Sequence, residues 1–240
     1  MKYILLITAT ALISLSGCRM MSNHSERGDG NWVTQTRNLT DFDEVEVSSA
    51  IDLYITQDSG YSVKVEADQN LQEFLETSVS GRRLSIHQRN NTNLDPSREI
   101  KVYVSAPLYR ELHASGACSI IGKNKLSGNQ DLDIDLSGSC DVDIDVKAPK
   151  ISVGMSGASS AKLKGETRDL DVDGSGSTDF KAFELLTENA HIEMSGAGDA
   201  QVYASVTLDV NTSGSSSIEY KGAAKVSSDI SGAGSVKKVD

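Results

Sequence analysis

The sequence predicts an all-β fold, a parallel β-helix with about 18 to 22 residues in each coil. A Ser-Gly-Ala or Ser-Gly-Ser tripeptide recurs seven times, with successive serines 22, 19, 19, 20, 18 and 18 residues apart. Apolar and polar residues alternate on both sides of each tripeptide, as in strands with one buried face. These intervals leave no room for a helix between the strands, which excludes helical repeats and βαβ units.

Each tripeptide is predicted to be a corner where the chain bends from one face to the next. Glycine reaches backbone dihedrals that are closed to other residues, and small neighbours let successive corners stack closely. The corner glycines are Gly116, Gly138, Gly157, Gly176, Gly196, Gly214 and Gly232. A second ladder of small residues, three positions after each serine, fits a crowded inward corner. It consists of Cys118, Cys140, Ser159, Thr178, Gly198, Ser216 and Gly234.

Two cysteines belong to this second ladder, and the sequence leaves their pairing open. Cys118 and Cys140 fall at equivalent positions on adjacent coils, so their Cα atoms are expected about 4.8 Å apart, within reach of a disulfide. Direct stacking on one face of a parallel sheet gives an awkward disulfide dihedral, however. A disulfide and a pair of stacked free thiols are equally compatible with the pattern. A zinc site is disfavoured because no histidines cluster with them.

The N-terminal segment predicts export and a lipid anchor. Lys2 precedes an apolar run over residues 3–15, which is typical of a secretory signal and too short for a membrane span. The following Leu-Ser-Gly-Cys resembles the bacterial lipobox, so residues 1–17 are predicted to be a lipoprotein signal peptide and Cys18 the lipidated residue. An ordinary signal peptide is the alternative. Residue 19 is Arg and not Asp, and in this respect the sequence resembles lipoproteins that are sent on to the outer membrane. The sequence does not indicate whether the protein would face the periplasm or the outside.

Residues 18–31 are predicted to be a flexible polar tether, and residues 32–240 one elongated domain. Removing Lys2 with the signal leaves 22 Lys and Arg against 34 Asp and Glu, a formal charge of −12. Such a surface repels nucleic acid and anionic membranes. No nucleic-acid partner is therefore expected, and contact with the membrane is expected only through the anchor.

Residues 32–113 are predicted to form irregular N-terminal coils, ahead of the regular repeats of residues 114–240. The first strand is expected at residues 32–36. The β-helical pattern begins near residue 42, where alternating apolar residues surround a Ser-Ser-Ala step and Ser49 takes the place of the corner glycine. The C-terminal coil has no evident capping helix, which leaves room for end-to-end self-association.

One helix is predicted, over residues about 68–77, with Asp68 as its cap. Three apolar residues would share one of its faces, and they are Leu71, Phe74 and Leu75. A helix this short needs tertiary packing, so it is expected to cover an end or edge of the β-helix. A hairpin around residues 81–82 is expected to follow it.

Three stretches carry a resemblance to a known family. They are residues 42–57 (FDEVEVSSAIDLYITQ), residues 63–68 (VKVEAD) with the helix that follows, and residues 102–108 (VYVSAPL). Together with the corner tripeptides, they resemble the bacterial lipoproteins called putative auto-transporter adhesin, head GIN domain, over roughly residues 35–235. The resemblance implies a right-handed β-helical domain at the cell envelope. It carries over no catalytic residue.

Alternating aspartates are the most evident candidates for chemistry. Stacked carboxylates repel one another unless they are solvated or bridged by a cation, and calcium accepts several such oxygens at once. The sequence lacks the Gly-Gly-x-Gly-x-Asp repeat of calcium β-rolls, so a solvated outer face is favoured over a metal site. The weak calcium candidates are Asp133, Asp135, Asp143 and Asp145.

A non-catalytic binding function is favoured over an enzyme. Some polysaccharide lyases and hydrolases are β-helices, but the regular repeats have no Trp, a single arginine (Arg168) and two tyrosines (Tyr203 and Tyr220). His191 alternates with apolar residues and is expected to point outward, without a metal-binding partner. We expect no catalytic residues and no cofactor. The preferred function is a cell-envelope lipoprotein that acts as an adhesin for an unknown protein or glycan, with a periplasmic scaffold as the alternative.

Overall fold

The computed structural model describes residues 25–240, so the signal peptide and residues 18–24 of the predicted tether, Cys18 among them, lie outside the described residues. The N-terminal strands are β1 (Ser25–Arg27), β2 (Trp32–Arg37), β3 (Glu44–Ser49), β4 (Ile51–Gln57), β5 (Ser62–Asp68), β6 (Leu75–Ser80), β7 (Arg83–Gln88), β8 (Asn93–Asp95) and β9 (Ile100–Ala106). The strands of the repeats are β10 (Glu111–Gly116), β11 (Ser119–Gly122), β12 (Leu126–Ser127), β13 (Leu132–Gly138), β14 (Asp141–Gly157), β15 (Ser160–Gly176), β16 (Asp179–Gly196), β17 (Asp199–Tyr203), β18 (Thr207–Gly214), β19 (Ser217–Lys221), β20 (Lys225–Gly232) and β21 (Ser235–Lys238).

The repeats form a parallel β-helix, which confirms the predicted fold class. Sheet I contains the strands that lead into the corner tripeptides. From the N-terminal end it runs β7, β3, β10, β13, the second halves of β14, β15 and β16, then β18 and β20. Sheet II contains the strands after the corner and ends at β19 and β21. A third side continues β14, β15 and β16 beyond sheet II and includes β12.

The corner glycines stack in register along the whole rod, as predicted. Gly138 pairs with Gly116 on one side and Gly157 on the other. Each of the corner glycines has a positive φ, 93° at Gly138, and a Cβ there would lie 2.5 Å from the carbonyl oxygen of Gly116. Ser49 takes the same corner in the first coil, at φ 81° and in register with Gly116. Glycine is therefore favoured at the corners both by backbone conformation and by the close approach of neighbouring coils, and Ser49 in the first coil is the exception.

Alternation places one side of every strand in a continuous apolar core. Along β13, for example, Leu132, Ile134 and Leu136 are buried, and the intervening aspartates are exposed. The small residues after each corner also face inward, as Cys140 and Ser159 do at 0% and 2% exposure. Burial of this apolar surface is the main favourable term in folding.

The N-terminal end of the rod is closed by antiparallel strands, of which the sequence predicted the hairpin at residues 81–82 but not the pairing of β2, β5 and β9. In sheet II, β5 pairs antiparallel with β9, and β2 pairs antiparallel with β5. In sheet I, β6 pairs antiparallel with β7 across a two-residue turn at Gly81 and Arg82, which is the predicted hairpin. Within the sheets, β3 lies between β7 and β10, and β4 lies between β9 and β11. The strands β7 and β9 are on the N-terminal side, although they follow β3 and β4 in the chain. The first coils are therefore not stacked in chain order.

The predicted helix is present but shorter and tighter than expected. It is a 3-10 helix over Gln69–Phe74, and Leu75 already begins β6. Leu71, on the inner face of this helix, is fully buried. β-Pairing of residues 75–80 with β7 satisfies backbone groups that a longer helix would have used, and this explains where the helix ends.

Asp68 does not cap this helix, because its side chain makes no capping hydrogen bond. Its buried carboxylate accepts hydrogen bonds from the Gly30 N–H at 2.8 Å and from the Ser97 N–H and hydroxyl at 2.8 and 2.6 Å. Burial opposes ionisation, but these hydrogen bonds outweigh it and lower the pKa of Asp68. Since β1 also pairs with β8, the part of the predicted tether that the structure describes is attached to the domain.

The C-terminal end is open within the described residues. The inner side of the preceding coil is buried, with Leu208 and Val210 at 1% and 0% exposure. In the last coil, Val226 and Val236 are only partly buried and Ile230 is 39% exposed. The rod therefore has two unlike ends. No helix in residues 25–240 is long and apolar enough to cross a bilayer.

Candidate binding surface

Two surfaces of the rod are concave enough to receive a ligand. The first, the acidic groove, runs along the outer side of sheet I beside the corner serines and encloses about 890 Å³. Its acidic side chains are Glu46, Asp135, Asp173, Glu193 and Asp229. His113 is the one imidazole in it, between Glu111 (3.1 Å) and Asp135 (3.2 Å).

Asp173 illustrates the electrostatics of the acidic groove. Loss of hydration raises the pKa of its carboxyl, and repulsion from Asp171 and Glu193 raises it further. The raised pKa agrees with the repulsion expected among the alternating aspartates, because outward carboxylates on one strand and on neighbouring strands lie close together. The acidic groove is therefore strongly negative, and its carboxylates repel one another.

The aspartates proposed as weak calcium candidates do not meet. Asp133 and Asp135 lie on sheet I, whereas Asp143 and Asp145 follow the corner and lie on sheet II. Asp143 contacts Lys162 at 3.5 Å, and Asp145 contacts Lys125 at 3.8 Å. Within residues 25–240, no three or more His, Cys, Asp or Glu side chains converge as metal ligands do. The corner at Gly138 lies between the two pairs and separates them.

The second surface, the mixed cleft, lies on the third side of the rod and encloses about 530 Å³. Lys147, Glu166 and Leu186 stand in register on three successive coils and form one wall. The opposite wall consists of Pro149, Arg168 and Glu188. Between the two walls, the main chain of Ala148, Thr167 and Thr187 forms the floor. Tyr203 and Ser205 close the C-terminal end of the cleft.

The mixed cleft combines apolar contact area with paired charges. Leu186 is 54% exposed, and Val206, next to the cleft, is 53% exposed. Lys147 donates a 3.0 Å hydrogen bond to Glu166, which lowers the pKa of that carboxyl with help from Lys125. Arg168 donates to Asp169 at 2.8 Å. Exposed apolar residues beside satisfied charges are typical of recognition surfaces.

Sequence reasoning found only part of this surface. It named Arg168 and Tyr203 as the rare arginine and tyrosine of the repeats, and both line the cleft. It missed Leu186 and Val206. The signal for Leu186 was present, because Leu185 and Leu186 are adjacent, so one of them must point outward in a strand. Leu185 is fully buried and Leu186 is exposed. His191 points outward as predicted, between Glu193 (3.3 Å) and Asp209 (3.5 Å).

The two cysteines are free thiols in the described structure. Both are buried at equivalent positions on adjacent coils, where Ser119 pairs with Asp141. The Cys118 thiol lies 2.9 Å from the carbonyl oxygen of Ser49 and 3.0 Å from that of Ser115. Burial raises the pKa of Cys118 to about 12, and its neighbour Cys140 adds to this. Of the two alternatives that the sequence left open, the structure has the stacked thiols.

We expect both cysteines to resist alkylation in the native protein. A thiol with a pKa near 12 is almost entirely protonated at pH 8, and neither sulfur is accessible. Mass spectrometry after treatment with iodoacetamide should find Cys118 and Cys140 unmodified in the native protein and both modified after unfolding in guanidinium. One modification of the native protein would contradict the burial, and resistance after unfolding without a reductant would reveal a disulfide.

Comparison with known proteins identifies a family. The family described as "Putative auto-transporter adhesin, head GIN domain" matches residues 41–224. A "putative adhesin" from Bacteroides fragilis NCTC 9343 has a TM-score of 0.82 at 19% identity, over 89% of this chain and 99% of that one. A "putative adhesin" and a "putative lipid binding protein" from Parabacteroides distasonis ATCC 8503 each have a TM-score of 0.73 at 25% identity, over 90% of this chain and 100% of theirs. No curated protein matches significantly.

Proposed function

The chain belongs to the putative auto-transporter adhesin, head GIN domain family, and from this membership we propose that it is a non-catalytic adhesive lipoprotein of the bacterial cell envelope. In this proposal Cys18 carries the lipid that anchors the protein, in the outer membrane, and residues 19–24 link it to the rod. The mixed cleft binds a protein or glycan of another surface. The observation that carries the proposal is the convergence of exposed Leu186 with Arg168 and Tyr203 in this cleft.

The composition of the mixed cleft favours binding over catalysis. A general acid needs a pKa raised toward the working pH, whereas the pKa of Glu166 is lowered by Lys147 and Lys125. Arg168 is bonded to Asp169 and is not directed at a carboxylate pair across the cleft. Asp173, whose pKa is raised, lies in the acidic groove and not in the mixed cleft, so it supplies no general acid to the mixed cleft.

One experiment on intact cells tests the anchor and the cleft together. Cells that display the wild-type protein should adhere to immobilised mucin or to peptidoglycan sacculi, and protease added outside should digest the protein. Leu186→Asp in combination with Arg168→Glu should reduce adhesion at least about tenfold, because it places a charge at the exposed apolar residue of the cleft and reverses the charge of Arg168. Cys18→Ala should release the protein from the membrane fraction.

The matched control is Lys164→Glu, an exposed charge reversal on the same strand as Arg168 but outside the cleft. It should adhere as the wild type does. If the cleft variant adhered as strongly as the wild type, the mixed cleft would not be the binding site. Full protection from external protease would instead favour the periplasmic scaffold.

A further inference from the structure

The C-terminal end of the rod presents an unpaired strand edge. β20 pairs with β18 on one side only, and β21 likewise pairs only with β19 within residues 25–240. Alternate backbone N–H and C=O groups of an edge strand point away from the sheet and are able to pair with another chain. The partly exposed Val226 and Ile230 add apolar area beside this edge. The N-terminal end also has edge strands within residues 25–240, since β2 pairs only with β5 and β6 only with β7, each in the antiparallel sense.

The edge strand β20 is complementary in charge to a second copy of itself. Lys225 and Asp229 are both exposed, lie four residues apart on its outer side, and have no ion pair within residues 25–240. In an antiparallel pairing centred on Ser227, each Lys225 lies opposite Asp229 of the second copy. The same register sets Val226 opposite Ser228 and Ala224 opposite Ile230. Opposite charges across an antiparallel pair stabilise it, and like charges destabilise it.

The neighbouring strand restricts the pairing to β20. β21 carries two lysines and no acidic residue, so pairing of two copies of β21 offers no attraction between opposite charges. Head-to-tail stacking would set β20 against β6, whose one charged residue, Glu76, offers a partner for Lys225 but none for Asp229. Two C-terminal ends are the more complementary surfaces, and a contact between identical surfaces closes as a twofold dimer and does not extend into a filament.

We propose that two copies of this chain associate end to end through their β20 strands, in a twofold antiparallel pairing that joins Lys225 of each copy to Asp229 of the other. Sheet II stacks eleven strands from β2 to β21, so the pairing edge lies roughly 48 Å from β2. Residue 25 lies near the closed end, through the contacts of Gly30 with Asp68. If Cys18 carries the anchor, as the proposed function holds, this dimer joins proteins on two facing membranes.

Charge reversal with rescue tests the dimer. The chain from residue 19 to residue 240, which keeps every residue that the structure describes, is measured by analytical ultracentrifugation between 1 and 200 μM, at low and at high salt. The wild type should form a dimer. Asp229→Lys should weaken it at least about tenfold, because two attractions become two repulsions. Adding Lys225→Asp to Asp229→Lys should restore the dimer, because the pairs are exchanged.

The control is Asp133→Lys, an exposed reversal in the middle of sheet I that should leave dimerisation unchanged. A monomeric wild type at all concentrations would overturn the proposal and leave the edge to a different partner. A ladder of larger species, or a double variant as weak as Asp229→Lys, would overturn the proposed geometry. These outcomes are independent of the adhesion assay, since none of these substitutions touches the mixed cleft.

Discussion

Gly157→Val is expected to lower the free energy of unfolding by about 3–5 kcal/mol. The φ of Gly157 is 84°, where a side chain costs about 1–2 kcal/mol and a β-branched one more. A Cβ there would lie 2.4 Å from the carbonyl oxygen of Gly138, a backbone atom on the neighbouring coil. Forcing the two coils apart adds about 1–3 kcal/mol. For a domain of this size the melting temperature should fall by roughly 10 °C, as measured by circular dichroism.

A second corner and a matched glycine separate the two causes. Gly196→Val should behave like Gly157→Val, because its Cβ would lie 2.4 Å from the Gly176 carbonyl oxygen. Gly81 has a comparable φ of 62°, but nothing lies within 4 Å of its Cβ position. Gly81→Val should therefore show only the conformational cost. If both corner variants melted like the wild type, the stacked corners would not support the fold.

The repeats could be predicted because one requirement recurs at each coil. Glycine is needed wherever the chain turns against the preceding coil, so the same residue type returns at each corner, as at Gly138 and Gly157. Alternation along β13 then follows from a single buried face. These are local constraints, and the sequence displays them directly.

The cap and the cleft could not be predicted in the same way, since each depends on contacts between distant segments. The antiparallel pairing of β2 with β5 has no recurring motif, and the alternation of β5 is the same for parallel and antiparallel neighbours. Asp68 was predicted to cap the helix, which is wrong; its carboxylate accepts hydrogen bonds from distant backbone N–H groups instead. Its partners, Gly30 and Ser97, are 38 and 29 residues away in the sequence, and only the fold brings them together.

This difference matches the division of the rod into a repetitive body and specialised ends. In the body, each coil supports the next, so a strained corner should weaken its neighbours as well. At the closed end, stability depends on a few buried polar groups that have no equivalent elsewhere. A substitution there is expected to act on one segment and to depend on the charge of one carboxylate.

Asp68→Asn is expected to lower the free energy of unfolding by about 3 kcal/mol at pH 7. The carboxylate accepts three hydrogen bonds, and bonds to a charged group contribute about 1.5–3 kcal/mol each when a buried partner would otherwise be left unpaired. The amide of asparagine has one oxygen in place of two. Its NH₂ group would face the N–H of Gly30 or of Ser97, so at least one buried donor would lose its acceptor.

The difference between wild type and Asp68→Asn should shrink as the pH falls. The pKa of Asp68 is lower in the folded protein than its usual value of 3.8, so its stabilisation is fully present above about pH 4 and is lost as the pH falls through the folded pKa. Urea unfolding at pH 7 and pH 3 measures both differences, and hydrogen exchange at Gly30 reports whether residues 25–31 detach first. The control, Asp199→Asn, removes an exposed carboxylate and should change stability little at either pH. A gap between wild type and Asp68→Asn that stayed constant with pH would show that the charge of Asp68 does not hold the closed end together.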